Sequence, residues 1–280
     1  MRITAITDEV SQDLSHALSV LKDYGCTSAE LRNVYGTYIV DADNALIDRV
    51  YADLARAEMT LDCLDTPLFK CDLDRAGLEG VGATHNAKER TLQDQWGLLD
   101  HCLALAHRLD TPFIRIFAFW RKGELTPVRR QEIIRILGLA AAIAGQAHKT
   151  LLLENEHACL LGTAAETVSV IREVNSPWLR FVWDPGNALM LGEPSLPDGY
   201  NVAKNYLSHI HIKDVTRDVT GHGSWACVGD GDGQYAALLS TLALDGYTGS
   251  IALETHWKSA DQIPETASRL CLDRLFEMLQ

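Results

Sequence analysis

The chain has 280 residues, of which 47% are hydrophobic and 22% charged, and its formal net charge is −13. This is ordinary composition for a soluble globular protein, and the length suits one α/β barrel, which commonly runs to about 250 residues as a unit. The acidic balance argues against a nucleic-acid binder, which normally shows a basic patch or stripe, and no run approaches the roughly 20 apolar residues that span a membrane.

The N-terminal MRITAITDEV has no long apolar run and no small-residue cleavage site, so the expectation is a cytoplasmic protein without a signal peptide. Short apolar runs then alternate with helical patterns along the chain. The expected strands are 3–6, 28–34, 59–64, 112–119, 150–155, 179–184, 209–215 and 249–255. Between them, Leu14, Ala17, Leu18 and Leu21 recur at helical spacing behind Ser11. So do Leu92, Trp96, Leu99, Leu103 and Ala106, and likewise Ile133, Ile134, Leu137, Ala141 and Ala144. The last helix is expected over Glu265–Leu279. Strand alternating with helix implies parallel strands joined by crossovers. Eight such units predict a single (β/α)8 TIM barrel over residues 1–280, since no linker or composition shift divides the chain. The turn after the first strand, TDEVSQD, lacks the Gly-rich fingerprint of the open doubly wound alternative. The seven cysteines are odd in number, widely spaced and without a CxxC, which points to reduced thiols and not to disulfides or a thiolate zinc site.

Alternate side chains of a strand face opposite sides. HIHIKD therefore puts His209, His211 and Lys213 on one face and Ile210 and Ile212 on the other. Three neighbouring strands run out into carboxylates: LLLENEH at Glu154 and Glu156, FVWDPGN at Asp184, and IALETHW at Glu254. The C-terminal strand ends carry the active site in barrel enzymes. The expected metal site is therefore Glu154, Asp184, His211 and Glu254, one ligand from each of the last four strands. Any one acidic residue at a strand end is more often a helix N-cap or a solvated loop residue, and a strand histidine is usually a satisfied structural one; the expectation rests on four strands agreeing. Three carboxylates and one imidazole suit Mn²⁺ first, with Mg²⁺, Co²⁺ or Zn²⁺ as alternatives.

Further residues on the same rim are candidates for substrate contact. They are Glu30 at the end of the second strand, Lys70 after TPLF, His157 after the fifth strand, Lys213, and Arg217 in the following loop. Arg115 inside an apolar strand requires a buried partner or an anionic ligand. His256 follows a ligand glutamate as His157 does, and Trp120, Trp183 and Trp257 lie at strand ends where rings stack on sugars. The run VGDGDGQ over 228–234 reads as a substrate-covering loop; its acidic residues speak against a phosphate cradle.

With TDEVSQD, AELR, TPLFK, LLLENEH, FVWDPGNA, HIHIKDV and ALETHW in this order, the chain resembles the xylose-isomerase-like barrel superfamily, in its sugar isomerase and epimerase branch. The resemblance implies one divalent ion on Glu154, Asp184, His211 and Glu254, with Glu154 and Glu254 serving also as acid and base. It implies a sugar or sugar derivative as substrate, proton transfer next to a carbonyl through an enediolate, and in many relatives a homodimer. Asn187 stands where several relatives carry a histidine; it suits a hydrogen bond to a substrate hydroxyl. A lyase or dehydratase begins with the same proton removal and is the alternative. An apurinic-site endonuclease needs additional histidines, and Asn187 and VGDGDG do not supply them. A non-catalytic sugar-binding barrel would not need the four ligands intact.

Overall fold

The computed structural model describes residues 1–74 and 82–280. Eight strands form one parallel sheet: β1 (Arg2–Ala5), β2 (Ser28–Leu31), β3 (Thr60–Asp65), β4 (Phe113–Ile116), β5 (Thr150–Glu154), β6 (Leu179–Trp183), β7 (Leu207–Ile212) and β8 (Ser250–Leu253). Each strand from β2 to β8 pairs with its sequence neighbour, and β8 pairs with β1. The seam between β1 and β2 is thinner. It holds the single bridge of Ile6 to Glu30, with the Thr4 and Thr7 hydroxyls donating to the Ser28 and Glu30 carbonyls at 2.8 and 3.1 Å. The sheet is thus a nearly closed α/β TIM barrel.

The crossovers carry helices α1 (Leu14–Asp23), α2 (Asn44–Ala57), α3 (Asp94–Arg108), α4 (Pro127–Gln146), α5 (Ala164–Val174), α6 (Pro185–Met190), α7 (Tyr235–Leu244) and α8 (Pro264–Glu277). Local chemistry starts several of them. Asp13 and Asp43 accept the His16 and Leu46 N–H, and Thr163 with Glu166 forms a capping box, each cap contributing about 1 kcal/mol. The Asp13 cap explains why α1 begins later than the expected Ser11, which instead ends a short helix over Thr7–Val10. The sixth crossover departs most from a regular helix. It opens with Pro185 at the first position of α6 and then breaks into a turn over Ser195–Gly199 and a short helix over Tyr200–Ala203, where Pro194 and Pro197 interrupt it.

Three strands end three residues short of the expected runs: β2 at Leu31, β4 at Ile116 and β7 at Ile212. Residues 117–120 leave the ladder and bond to segment 68–71: the Phe117, Phe119 and Trp120 N–H donate to the Leu68, Phe69 and Cys71 carbonyls. After β2 the chain makes a small hairpin of Asn33–Val34 with Thr37–Tyr38, and after β7 a second of Asp214–Arg217 with Gly223–Ala226. Chain that an apolar run would assign to strand thus builds the rim.

The main core lies between sheet and helices and includes Leu18, Leu31, Leu99, Ile136, Leu153, Phe181, Ile210 and Leu272. A separate small cluster of Cys63, Leu152 and Val182, with Phe113 against it, plugs the barrel interior. Ionisable groups occupy the interior beside this plug. Leaving them unpaired there would be costly.

Candidate metal centre

The alternation of β7 carries through as expected. His209, His211 and Lys213 lie inside the barrel with almost no exposure, and Ile210 and Ile212 join the outer core. Around them converge the ends of β5, β6 and β8. One ligand atom each from Glu154, Asp184, His211 and Glu254 lies within 4.8 Å of every other, and all four side chains are buried.

The two oxygens of Asp184 stand in different surroundings. Its Oδ1 caps α6 by accepting the Asn187 N–H at 2.8 Å. Its Oδ2 has no aligned hydrogen bond among the described residues, although Lys213 Nζ stands 2.9 Å away. Gly186 makes this turn possible, since a Cβ there would lie 2.2 Å from the Lys213 carbonyl oxygen. Burial pushes Asp184 up to about 7; the Lys213 ammonium opposes this, and Glu154 and Glu254 add to it.

Glu254 is held on both oxygens. Arg32 Nη1 donates to Oε1 at 2.7 Å and Lys213 Nζ to Oε2 at 2.8 Å. Burial would raise its pKa, but Lys213 and the adjacent His211 and His256 hold it well below the usual carboxylate range. Glu154 receives Arg115 Nη1 on Oε2 at 3.2 Å and Asn187 Nδ2 on Oε1 at 3.4 Å. It is lowered too: burial works against this, while His211 and Arg115 outweigh it.

His211 is set from below by Glu30. The Glu30 carboxylate takes His211 Nε2 on one oxygen at 3.1 Å and His209 Nε2 on the other. Burial raises Glu30, but the two imidazoles hold it below the usual range. With Nε2 on Glu30, His211 presents Nδ1 to the centre, 3.4 Å from Glu154 and 3.6 Å from Glu254. A carboxylate behind a ligand histidine fixes its tautomer and ring orientation.

These donors fit a divalent ion. A buried carboxylate oxygen without a hydrogen bond, an oriented imidazole nitrogen and two further carboxylates meet in one place, and hard divalent ions favour oxygen-rich sets of this kind. Lys213 Nζ, between Asp184 and Glu254, offsets part of the negative charge.

The remaining candidates are distributed as follows. Glu30 is wholly buried beneath His211. Lys70 Nζ lies 3.3 Å from Glu156 Oε2 and over the Phe117 ring. His157 Nδ1 is 2.8 Å from both Glu156 Oε1 and Asn187 Oδ1, so Asn187 links Glu154 to His157. Lys213 lies within the carboxylate cluster. Arg217 stays on its hairpin, donating to the Gly221 carbonyl at 3.1 Å beside Gly192, and is not brought to the centre. Segment 228–234 is pinned. The Asp214 carboxylate accepts the N–H of Gly229, Gly231 and Gly233 at 2.9, 3.1 and 3.0 Å. A Cβ at Gly231 would sit 2.3 Å from Asp214 Oδ1, so the tight wrap requires glycine.

Sequence reasoning overlooked several site residues. Arg32 binds Asp8, Glu9 and Glu254 together. Its signal was present, because Arg32 follows Glu30 in the period-two alternation of β2. Asp65 follows Cys63 in the same way; it is fully buried, 3.6 Å from Arg115 Nε, and burial raises its pKa well above the carboxylate range. Trp225 gave no signal, because a hairpin delivers it. It stands edge-on to His256, with 4.8 Å between ring centroids, and over it lies Lys213. Trp225, Trp257, His85, His256, Arg32 and Glu9 are among the residues lining a cavity of about 550 Å³ beside Glu254. Of the expected stacking rings only Trp257 reaches this cavity; Trp183 is buried against Tyr200, and Trp120 packs with Phe117 and Cys159.

The sequence matches the family model described as xylose isomerase-like TIM barrel over residues 18–274. The chain belongs to that family. No curated protein matches the sequence. Among solved structures of similar fold is the IOLI protein with a bound zinc atom, at TM-score 0.78 and 14% identity, over 100% of this chain and 98% of that one. Another is the probable 3-DHS dehydratase AsbF of Bacillus anthracis, at TM-score 0.72 and 16% identity, covering 96% and 98% of the two chains. A third is D-psicose 3-epimerase of Clostridium cellulolyticum H10 with D-tagatose, at TM-score 0.71 and 14% identity, covering both chains fully. At these identities the likeness is one of fold. Among the described residues of this xylose isomerase-like barrel, no helix is long and apolar enough to cross a membrane.

Proposed function

We propose that this xylose isomerase-like barrel is a divalent-metal-dependent sugar isomerase or epimerase. The observation that carries the reading is the convergence of Glu154, Asp184, His211 and Glu254 within 4.8 Å at the rim, beside a cavity of sugar-accommodating size. A solved relative in fold that is an epimerase in complex with a ketose, and another with bound zinc, support it.

Glu154, Asp184, His211 and Glu254 would hold the ion, with Mn²⁺ the first expectation. Bound there, it supplies Lewis-acid polarisation of a substrate carbonyl. The chain's own residues do the proton work. One of Glu154 and Glu254 removes the proton from the carbon next to the carbonyl. The other glutamate, which must enter the cycle carrying a proton, gives it to the enediolate, on the opposite face for epimerisation or on the neighbouring carbon for isomerisation, so that the pair holds one proton before and after. The surroundings distinguish the two. Both Glu254 oxygens are held by fixed cations, whereas Glu154 borders Asn187 and His157, a hydrogen-bonded path to the partly exposed rim. Arg32 and Lys213 orient Glu254, and Trp225 and Trp257 wall the cavity.

The fold likeness to a probable dehydratase keeps a second reading in view, in which the same proton removal is followed by loss of a β-substituent. Incubating the Mn²⁺-loaded protein with keto-sugars in deuterium oxide tests both. Deuterium incorporation with no other mass change supports the isomerase, and loss of water or an aglycone supports the lyase. Absence of both across ketoses, aldoses and keto-glycosides, with metal bound, counts against the proposal.

A further inference from the structure

On the cavity side of Glu254 stand two imidazoles that the proposed chemistry does not use. His85 comes from the segment before α3, and His256 follows β8 by two residues after Glu254. His256 Nε2 lies 3.4 Å from Glu254 Oε1 and 3.8 Å from Glu9 Oε1. It is inaccessible to solvent and has no hydrogen-bond partner among the described residues. The His85 and His256 rings are 5.4 Å apart. One ligand atom each from His85, Glu254 and His256 falls within 4.8 Å of the others. We propose that His85, His256 and Glu254 form a second metal site, opening onto the 550 Å³ cavity and sharing Glu254 with the first centre.

The geometry of Glu254 suits a bridging carboxylate. Oε2 faces His211 and Lys213 on the side of the first centre, and Oε1, which accepts from Arg32 Nη1 at 2.7 Å, faces His256 on the side of the cavity. Two histidines and one carboxylate are the protein ligands of an open catalytic-type zinc site, with the fourth position left for water or substrate. His85 and His256 line the cavity, so an ion held on them would offer that position to a ligand bound there. Arg32 meets three carboxylates here, Asp8, Glu9 and Glu254. Lys213 on Glu254 and Lys258 on the cavity wall complete a balance of three carboxylates and three cations, so the proposal rests on the ligand geometry and not on a surplus of negative charge. His85 is anchored by its backbone, since its carbonyl accepts Asn33 Nδ2 at 3.0 Å.

The ligand sets separate the two centres experimentally. Chelator-stripped full-length protein is titrated with Zn²⁺, and bound zinc is counted by mass spectrometry after dialysis; Co²⁺ absorption reports the coordination of each ion. Wild type is expected to hold two ions per chain. His85→Ala and His256→Ala should each lose one, with the affinity of that ion falling more than the roughly 10–100-fold that follows loss of an outer-shell partner. Asp184→Asn should lose the other ion and keep this one. His85→Asn and circular dichroism guard against a variant that merely fails to fold. One ion in wild type, lost with Asp184→Asn and indifferent to His85→Ala, overturns this site and leaves the proposed function standing. One ion lost with His85→Ala but not with Asp184→Asn supports this site and removes the first centre. Zinc binding by neither set overturns both.

Discussion

Lys213 offers the sharpest test of the charge balance at the centre. Its ammonium is buried, 2.9 Å from Asp184 Oδ2 and 2.8 Å from Glu254 Oε2. Lys213→Met keeps the apolar stem and removes the cation. In metal-free protein this takes the ammonium from Asp184 and leaves Glu254 with Arg32, and breaking a buried pair in this way costs about 3–5 kcal/mol. For a chain of this size each kcal/mol lowers Tm by about 2–4 °C, so the loss is on the order of 10 °C. A divalent ion would restore the missing charge and would no longer be repelled by the ammonium. The metal-bound variant should therefore melt close to wild type, and the stabilisation by metal should be larger in the variant. Differential scanning fluorimetry in chelator and in excess MnCl₂ measures all four values. Equal destabilisation of Lys213→Met in both conditions would refute the reasoning and reduce Lys213 to a packing residue.

Three further outcomes follow from the same contacts. Glu30→Gln, which keeps the volume but weakens the grip on His211 and His209, should lower Mn²⁺ affinity about 10–100-fold by calorimetry, and unchanged affinity would show that His211 needs no support. Asp184 is raised to about 7 and must lose its proton to ligate. Metal affinity should therefore fall as pH drops below about 7, with proton release on binding that is larger at pH 6 than at pH 8, and calorimetry in buffers of different ionisation heat reads this directly. In the metal-free fold the sign is opposite: an aspartate raised from 3.8 contributes stability at low pH that is lost as pH rises through about 7, so metal should matter most for stability above that pH. Asp214→Ala leaves the N–H groups of Gly229, Gly231 and Gly233 without their acceptor; it should cost about 1–3 kcal/mol and open 228–234 to proteolysis, and an unchanged digestion rate would show that the loop holds itself.

The cap reading of an acidic strand end holds at Asp184, and it leaves the second oxygen of the same carboxylate over. Asp184 caps α6 with one oxygen and keeps the other, without an aligned hydrogen bond, beside Lys213, so a capping role does not compete with the proposed ligand role. The sequence expectation of a lid over 228–234 meets a loop tied down on Asp214 instead. Glycine-rich composition signals backbone freedom in the unfolded chain. It does not say whether the folded chain spends that freedom on mobility or, as at Gly231 and Gly233, on a close approach to a carboxylate.

Alternation is a local property, and what it governs could be read from the chain alone. The parallel (β/α) order, the inward face of His209, His211 and Lys213, and the rim position of Glu154, Asp184 and Glu254 all follow from period-two patterning and the turn chemistry at strand ends. Which groups pair across the barrel is a property of its closure. Arg32 on the chain after β2 reaching Glu254 after β8, Glu30 beneath His211, and a hairpin tryptophan against His256 join residues far apart in sequence. No local pattern encodes those partners, because their proximity exists only once the eight strands have come round to meet.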